Sequence, residues 1–262
     1  MNVRSLVDHL RALGLHTGDC VVVHSSYKAI GRCAGGPRTV IDALVEAVGP
    51  AGALLLPNLN IPHAFTAANP PRFDVKRDPL APTIGIIPEL FKGEYATHFS
   101  LHPTHSMMGI GDRAAGILSG HESAGVPCGI GTPWHRNALA GGKILLIGVD
   151  QRANTTYHCA EEQLPDSYQL TRQPIEGVVI LDGRPIVVRS RLHVWDHHPD
   201  FNVINPELAA RDHLRVGLVG GARTMLLDAA GFLDLCLARM AEDPRFFLRY
   251  PAAADEPPPP RD

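Results

Sequence analysis

Cys20-Val21-Val22-Val23-His24-Ser25-Ser26-Tyr27-Lys28-Ala29-Ile30-Gly31 is the stretch on which the reading of the fold turns. Four short apolar residues in a row, three of them β-branched, read as a strand covered on both faces. Two hydroxyls and a glycine then mark the place where the chain leaves that strand. Upstream, Leu6, Val7, Leu10 and Leu13 form a helical stripe that Gly14 ends. Downstream, Pro37 sits where a first helical turn begins, and Val40, Leu44, Val45 and Val48 line one face up to Gly49. Ala53-Leu54-Leu55-Leu56 is a second buried strand, expected to stop at Pro57. Helix, strand, helix, strand is the opening of an α/β layered fold.

Farther along, residues 57–83 are rich in Pro and Asn and have no clear period, as in a functional or mobile loop. A short helix resumes over Ile84 to Phe91. Lys143-Ile144-Leu145-Leu146-Ile147-Gly148-Val149 is the clearest strand after the first. Val178-Val179-Ile180-Leu181, Asp182-Gly183 and Pro185-Ile186-Val187-Val188 read as a hairpin with a type I′ turn. Val216 to Met240 reads as a glycine-marked strand followed by a helix that carries Leu226 and Leu227. The expected architecture is a central mixed β-sheet flanked by helices, with a small hairpin-containing subregion. Residues 1–250 are expected to form one domain, and 251–262, with four consecutive prolines, a disordered tail.

Composition narrows the function. Net charge is −3 over 262 residues, which leaves no basic field for nucleic acid and no polybasic membrane anchor. No apolar run approaches the ~20 residues that span a bilayer, and the N-terminus lacks the apolar core of a signal peptide. The five cysteines, at 20, 33, 128, 159 and 236, are odd in number and show no CxxC spacing. They read as reduced thiols in a cytoplasmic protein, mostly core filler.

The chemistry-bearing residues concentrate between His98 and Pro165, where His98, His102, His105, His121, His135 and His158 occur. In Asn154-Thr155-Thr156-Tyr157-His158-Cys159-Ala160-Glu161-Glu162, His158 and Glu161 are three apart and share a helix face. Imidazole beside carboxylate suits proton transfer near neutral pH, although the same spacing also serves an ordinary surface pair. The threonines are placed to cap the helix. His102-Pro103-Thr104-His105-Ser106 has the proline that argues against a regular helical metal site, and HExxH is absent. A hydrogen-bonding role is the expectation there. His193-Val194-Trp195-Asp196-His197-His198 reads as a solvated loop. The turn at Ser25-Ser26 follows a strand, where α/β folds bind ligands, but it is neither a P-loop nor GxGxxG.

Taken in order, these motifs resemble the aminoglycoside N3-acetyltransferase family, antibiotic acetyltransferases of a non-GNAT fold. The matching residues are His24-Ser25-Ser26 with Gly31, Gly35-Gly36, Pro57, Thr83-Ile84-Gly85, His102-Pro103 with Ser106, His121 and Gly131-Thr132-Pro133. They continue with Gly142, Leu145-Leu146-Ile147-Gly148, Thr155-Thr156, His158, Glu161 and Asp200-Phe201, so that residues 3–240 are covered. Thr132 stands where the family has serine, Met107-Met108 replaces smaller residues, and His98-Phe99 replaces a frequent Arg-Ser pair.

The resemblance implies acetyl-CoA-dependent acetylation of the 3-amino group of an aminoglycoside, with His158 as general base and Glu161 supporting it. It implies coenzyme A contacts from Ser25, Ser26, Tyr27, Gly31, Ser106 and Met107. Asp200, Glu162, Tyr157 and Asp74 are the expected acceptor contacts. No metal is expected, and the protein is expected to be a monomer or homodimer with small-molecule partners only. The alternative is a metal-dependent hydrolase built on His102, His105, His121 and His158.

Overall fold

The structure, a computed structural model, describes residues 1–61, 65–194 and 199–249. The expected proline-rich tail, and Trp195 to His198 of the second histidine patch, lie outside the described residues.

The chain runs α1 (Val3–Leu13), β1 (Cys20–Ser25), α2 (Tyr27–Ile30), α3 (Pro37–Val48), β2 (Ala53–Leu59), β3 (Arg72–Asp74), α4 (Ile86–Glu94), β4 (His98–Phe99) and β5 (His105–Ile110). It continues with α5 (Ala114–Leu118), α6 (Pro133–Leu139), β6 (Lys143–Ile147), α7 (Tyr157–Glu161), β7 (Ile175–Leu181), β8 (Arg184–Ser190), α8 (Asn205–Ala210), β9 (Leu214–Val219), β10 (Ala222–Asp228) and α9 (Ala229–Glu242). One sheet has the order β4-β5-β2-β1-β6-β10-β9 and a smaller one the order β3-β7-β8. Strand β1 lies parallel to both β2 and β6, and the outer pairings of the larger sheet are antiparallel. This is the mixed, helix-flanked sheet with a small hairpin subregion that the sequence predicts.

The uninterrupted apolar run of β1 follows from its central place. Val21 and Val23 pack into one core with α1, α3 and α4, and Cys20 and Val22 into a second core with α5 to α9. Both faces of the strand are covered, so alternation is lost. Gly14 ends α1 in a left-handed conformation, and Asp182 and Gly183, both at positive φ, form the type I′ turn of β7–β8.

Two expectations change. Strand β2 does not stop at Pro57 but runs on to Leu59. Its pairing with β1 ends at Leu55. On the other side Pro57 faces Met107, whose N–H and C=O both turn away to bond Ser100. Neither neighbour needs an N–H from residue 57, so the proline costs no ladder bond. In addition, Leu226 and Leu227 lie in β10, not in a helix. The chain reverses at Gly220-Gly221, and β10 inserts between β6 and β9 before α9 begins.

Candidate active site

Strands β2 and β6 flank β1 on opposite sides, and all three are parallel. The chain leaves β1 toward β2 and returns later at β6, a topological switch point of the kind that forms a crevice outside the carboxyl ends of the strands. Open α/β sheets bind ligands at such a crevice. The Ser26 N–H donates to the Ile147 carbonyl at 2.8 Å and ties the two strand ends together. Gly148 follows at φ +67, where a Cβ would lie 2.4 Å from that of Ala29, so only glycine lets α2 and the end of β6 come this close.

The first turn after β6 delivers α7. The threonine side chains do not cap it. Thr156 is the N-cap but makes no side-chain cap bond; just before it, Asn154 Oδ1 accepts from the Thr156 N–H at 3.1 Å, and the Asn154 side-chain amide donates to Gln151 Oε1 at 2.9 Å. His158 is the second residue of the five-residue α7. Its Nδ1 lies 2.6 Å from Glu161 Oε2, and the other carboxylate oxygen, Oε1, accepts from the Tyr168 hydroxyl at 2.7 Å. The His158 side chain keeps 13% exposure and that of Glu161 none. A carboxylate fixed from behind by a phenol thus holds the imidazole through Nδ1. Tyr168 was not foreseen from the sequence, because it enters from beyond Pro165.

The next residue repeats the pattern in a different setting. Glu162 Oε2 accepts from the N–H groups of Cys128 and Gly129 at 2.8 and 2.6 Å, and Oε1 lies 2.5 Å from His193 Nε2. Gly129 is required here, since a Cβ would come within 3.1 Å of that same carboxylate. The His193 side chain is 1% exposed and its ring is centred 4.6 Å from that of His158. His193 is therefore a buried wall of the site and not part of a solvated loop. Burial lowers its pKa well below the ordinary histidine value and pushes that of Glu162 up to about 8.

Five of the residues expected to contact ligands are instead engaged within the protein. Ser106 and Met107 are fully buried. Ser106 Oγ donates to the Ser100 carbonyl at 2.6 Å, and the Met107 N–H is spent on Ser100 Oγ, so they back the site and do not face a coenzyme. Glu162 is committed to the loop at Cys128 and to His193, and so is not an open acceptor contact. Tyr157 is fully buried, stacked on Phe201 and edge-on to Phe247. Asp74 is spent as well: it accepts from the N–H groups of Lys76 and Arg77, in the smaller sheet.

Ser25 ends β1 and Ser26 and Tyr27 follow it, all three partly exposed, while Gly31 closes α2. Asp200 is partly exposed beside Phe201, whose ring is 6.0 Å from His158, and its Oδ1 accepts from the N–H of Asn202. Two buried hydroxyl oxygens at this end, Ser25 Oγ and Thr156 Oγ1, have no hydrogen-bond partner among the described residues.

The histidines of the hydrolase alternative are mostly structural. His102 Nδ1 accepts from the N–H groups of Thr104 and His105, and Nε2 meets Ser190 Oγ at 3.0 Å. His121 meets Ser100 Oγ at 2.9 Å and the Pro127 carbonyl at 2.8 Å. Both ring nitrogens of each are thus occupied by protein. Among the described residues, one group can gather around a metal ion: His105, Cys128 and His193, whose ligand atoms all lie within 4.8 Å of one another.

Fold and site together are those of an α/β protein with a histidine–carboxylate pair on the segment that follows β6. Residues 22–241 match the Antibiotic_NAT family, the aminoglycoside 3-N-acetyltransferases, and the chain belongs to that family. It is accordingly an acetyltransferase. Aminoglycoside N(3)-acetyltransferase VII of Streptomyces paromomycinus is 30% identical to it, over 90% of each chain. The crystal structure of AAC-VIa bound to sisomicin superposes with a TM-score of 0.76 at 30% identity, covering 94% of this chain and 98% of that one. The AAC-IIIb binary complex with CoASH gives 0.77 at 26% identity, covering 98% and 99%.

Proposed function

We propose that the chain transfers the acetyl group of acetyl-CoA to the 3-amino group of an aminoglycoside, with His158 as general base. The observation that carries this reading is the His158–Glu161 contact of 2.6 Å beside the crevice, with the second carboxylate oxygen held by Tyr168. Relatives with bound sisomicin and with CoASH support the two substrates.

The chemistry follows from the amine. An ammonium has no lone pair, so His158 Nε2 takes a proton as the amine attacks the thioester carbonyl carbon. Glu161 steadies the imidazolium that results. The new C–N bond forms, the C–S bond breaks, and the departing thiolate takes the proton from His158. Binding both substrates together supplies several kcal/mol through proximity. Hydrogen-bond donors must meet the oxyanion. The unpartnered hydroxyls of Ser25 and Thr156 and the Ser25-Ser26 turn are the groups assigned to the acetyl-CoA arm. Asp200, beside Phe201, is assigned to a cationic amino group of the acceptor.

A thiol-release assay with acetyl-CoA and a panel of aminoglycosides tests the reaction. Release of coenzyme A with 3-amino acceptors, and its loss with analogues lacking that amine, is the expected result. Release indifferent to the 3-amino group overturns the assignment. Replacing both Ser25 and Ser26 by alanine is expected to raise the KM for acetyl-CoA more than that for the acceptor.

A further inference from the structure

We propose that His105, Cys128 and His193 form a site for one divalent transition-metal ion of the zinc type. They come from three separate segments: strand β5, the connection between α5 and α6, and the stretch after β8. Their ligand atoms nonetheless converge within 4.8 Å of one another. Around a tetrahedral zinc ion, nitrogen and sulfur donors lie roughly 3.3–3.7 Å apart, as follows from bond lengths near 2.0–2.3 Å. Side-chain adjustments of about an ångström therefore close the site, with no change of backbone. All three side chains are buried, so the donors are not an accident of a crowded surface.

The surroundings fit a metal site in a second way. Each imidazole is oriented through its other nitrogen. Thr104 Oγ1 is 2.9 Å from His105 Nδ1, and Glu162 Oε1 is 2.5 Å from His193 Nε2. Coordination thus falls to Nε2 of His105 and Nδ1 of His193. A carboxylate behind a histidine is the arrangement that sets the tautomer and raises the basicity of a metal-bound imidazole. That same carboxylate accepts from the Cys128 N–H, so Glu162 braces two of the three ligand-bearing segments at once. One thiolate and two imidazoles select a zinc-type ion over magnesium or calcium. On binding, the Cys128 thiol loses its proton to solvent, a sulfur–metal bond forms, and no electron is transferred. The Cys128 thiolate brings a negative charge to the ion.

The ion would clamp His193 in place beside His158. Acetyl transfer as proposed above needs no step on it, so the two proposals fail separately. The expectation of no metal came from the absence of a zinc-spacing motif, and donors gathered from three segments leave no such motif.

The test uses full-length protein expressed without a polyhistidine tag. Its metal content is measured, the metal is removed with a chelator, and cobalt(II) is added back. One equivalent of cobalt with a thiolate-to-cobalt charge-transfer band is expected. Cys128→Ser should abolish the band and weaken binding more than about 10²-fold, whereas Cys33→Ser, outside the trio, should keep both. Should Cys128→Ser fail to fold, the wild-type band itself decides. No band in the wild type, or a band that survives in folded Cys128→Ser, overturns the proposal.

Discussion

Glu161 and Glu162 are consecutive, and each holds a histidine, yet the two pairs are built for different work. The His158–Glu161 pair has one partly exposed member, beside a crevice where ligands gather in this kind of fold. The His193–Glu162 pair is sealed, and its carboxylate is shared with two backbone amides of the Cys128 loop. The same two residue types at nearly the same contact distance thus give a partly open pair, to which proton transfer is assigned in the proposed function, and a sealed brace. What separates them is access to solvent and the number of additional partners on the carboxylate.

Acid should sharpen the contrast most. Burial holds His24 and His121 down to about 3, and His102 well below the ordinary value of 6.5. Below pH 6.5 the unfolded chain takes up protons that the folded one refuses, so stability present above 6.5 is lost as pH falls. Each group contributes about 1.4 kcal/mol per pH unit. Glu162, raised to about 8 by burial, acts in the opposite sense: it favours the folded state increasingly as pH falls from 8 to 4.5 and offsets about one histidine. The melting temperature should fall clearly between pH 7 and 5. A flat profile would mean that these histidines are charged in the folded protein.

His158→Ala should lower kcat by ~10²–10⁴-fold, the worth of a positioned base, with the melting temperature little changed. Steady-state kinetics that show a loss of only a few-fold would remove His158 from the chemistry and collapse the contrast from its open side.

Glu162→Ala should do the reverse. It orphans two buried N–H groups and the His193 ring, at a cost of about 3 kcal/mol. In a chain of this size that is ~6–12 °C in melting temperature. Thermal unfolding that moves by less than a degree would show that Glu162 is no brace.

The smallest effect is expected from Tyr168→Phe. Loss of one hydrogen bond to the Glu161 carboxylate should reduce kcat several-fold, about 1 kcal/mol, and move the pH dependence of kcat. Unchanged kcat and an unchanged pH profile would confine Tyr168 to packing.

Much of this was legible from local pattern. The stripe of α1, the buried runs of β1 and β6, the Pro37 helix start and the Asp182-Gly183 turn each depend on a few neighbouring residues, and each is found in the structure. Pro57 misled because a proline's tolerance in a strand depends on what its neighbours donate, and that is settled by Ser100, far along the chain. Leu226 and Leu227 misled because a short apolar run next to a helix has no period of its own. The His158–Glu161 contact was readable from helical spacing. Tyr168, Cys128 and His193 were not, since no spacing rule joins segments that meet only after folding. The one available clue was the histidine-dense stretch from His193, and its polarity argued for solvent.

The consecutive placement of the two glutamates has a mechanical consequence. Around a helix axis neighbouring side chains point about 100° apart, so one short segment steers both pairs as a crank steers two rods. Any roll of α7 that turns the His158–Glu161 pair also swings Glu162 relative to the Cys128 loop. Because that loop holds Glu162 Oε2 through the N–H groups of Cys128 and Gly129, it resists the roll. The orientation of the His158 ring is thereby referenced to the Cys128 loop, on a separate segment of the chain. A one-residue insertion between Thr155 and Glu161 would throw both bearings out of line together.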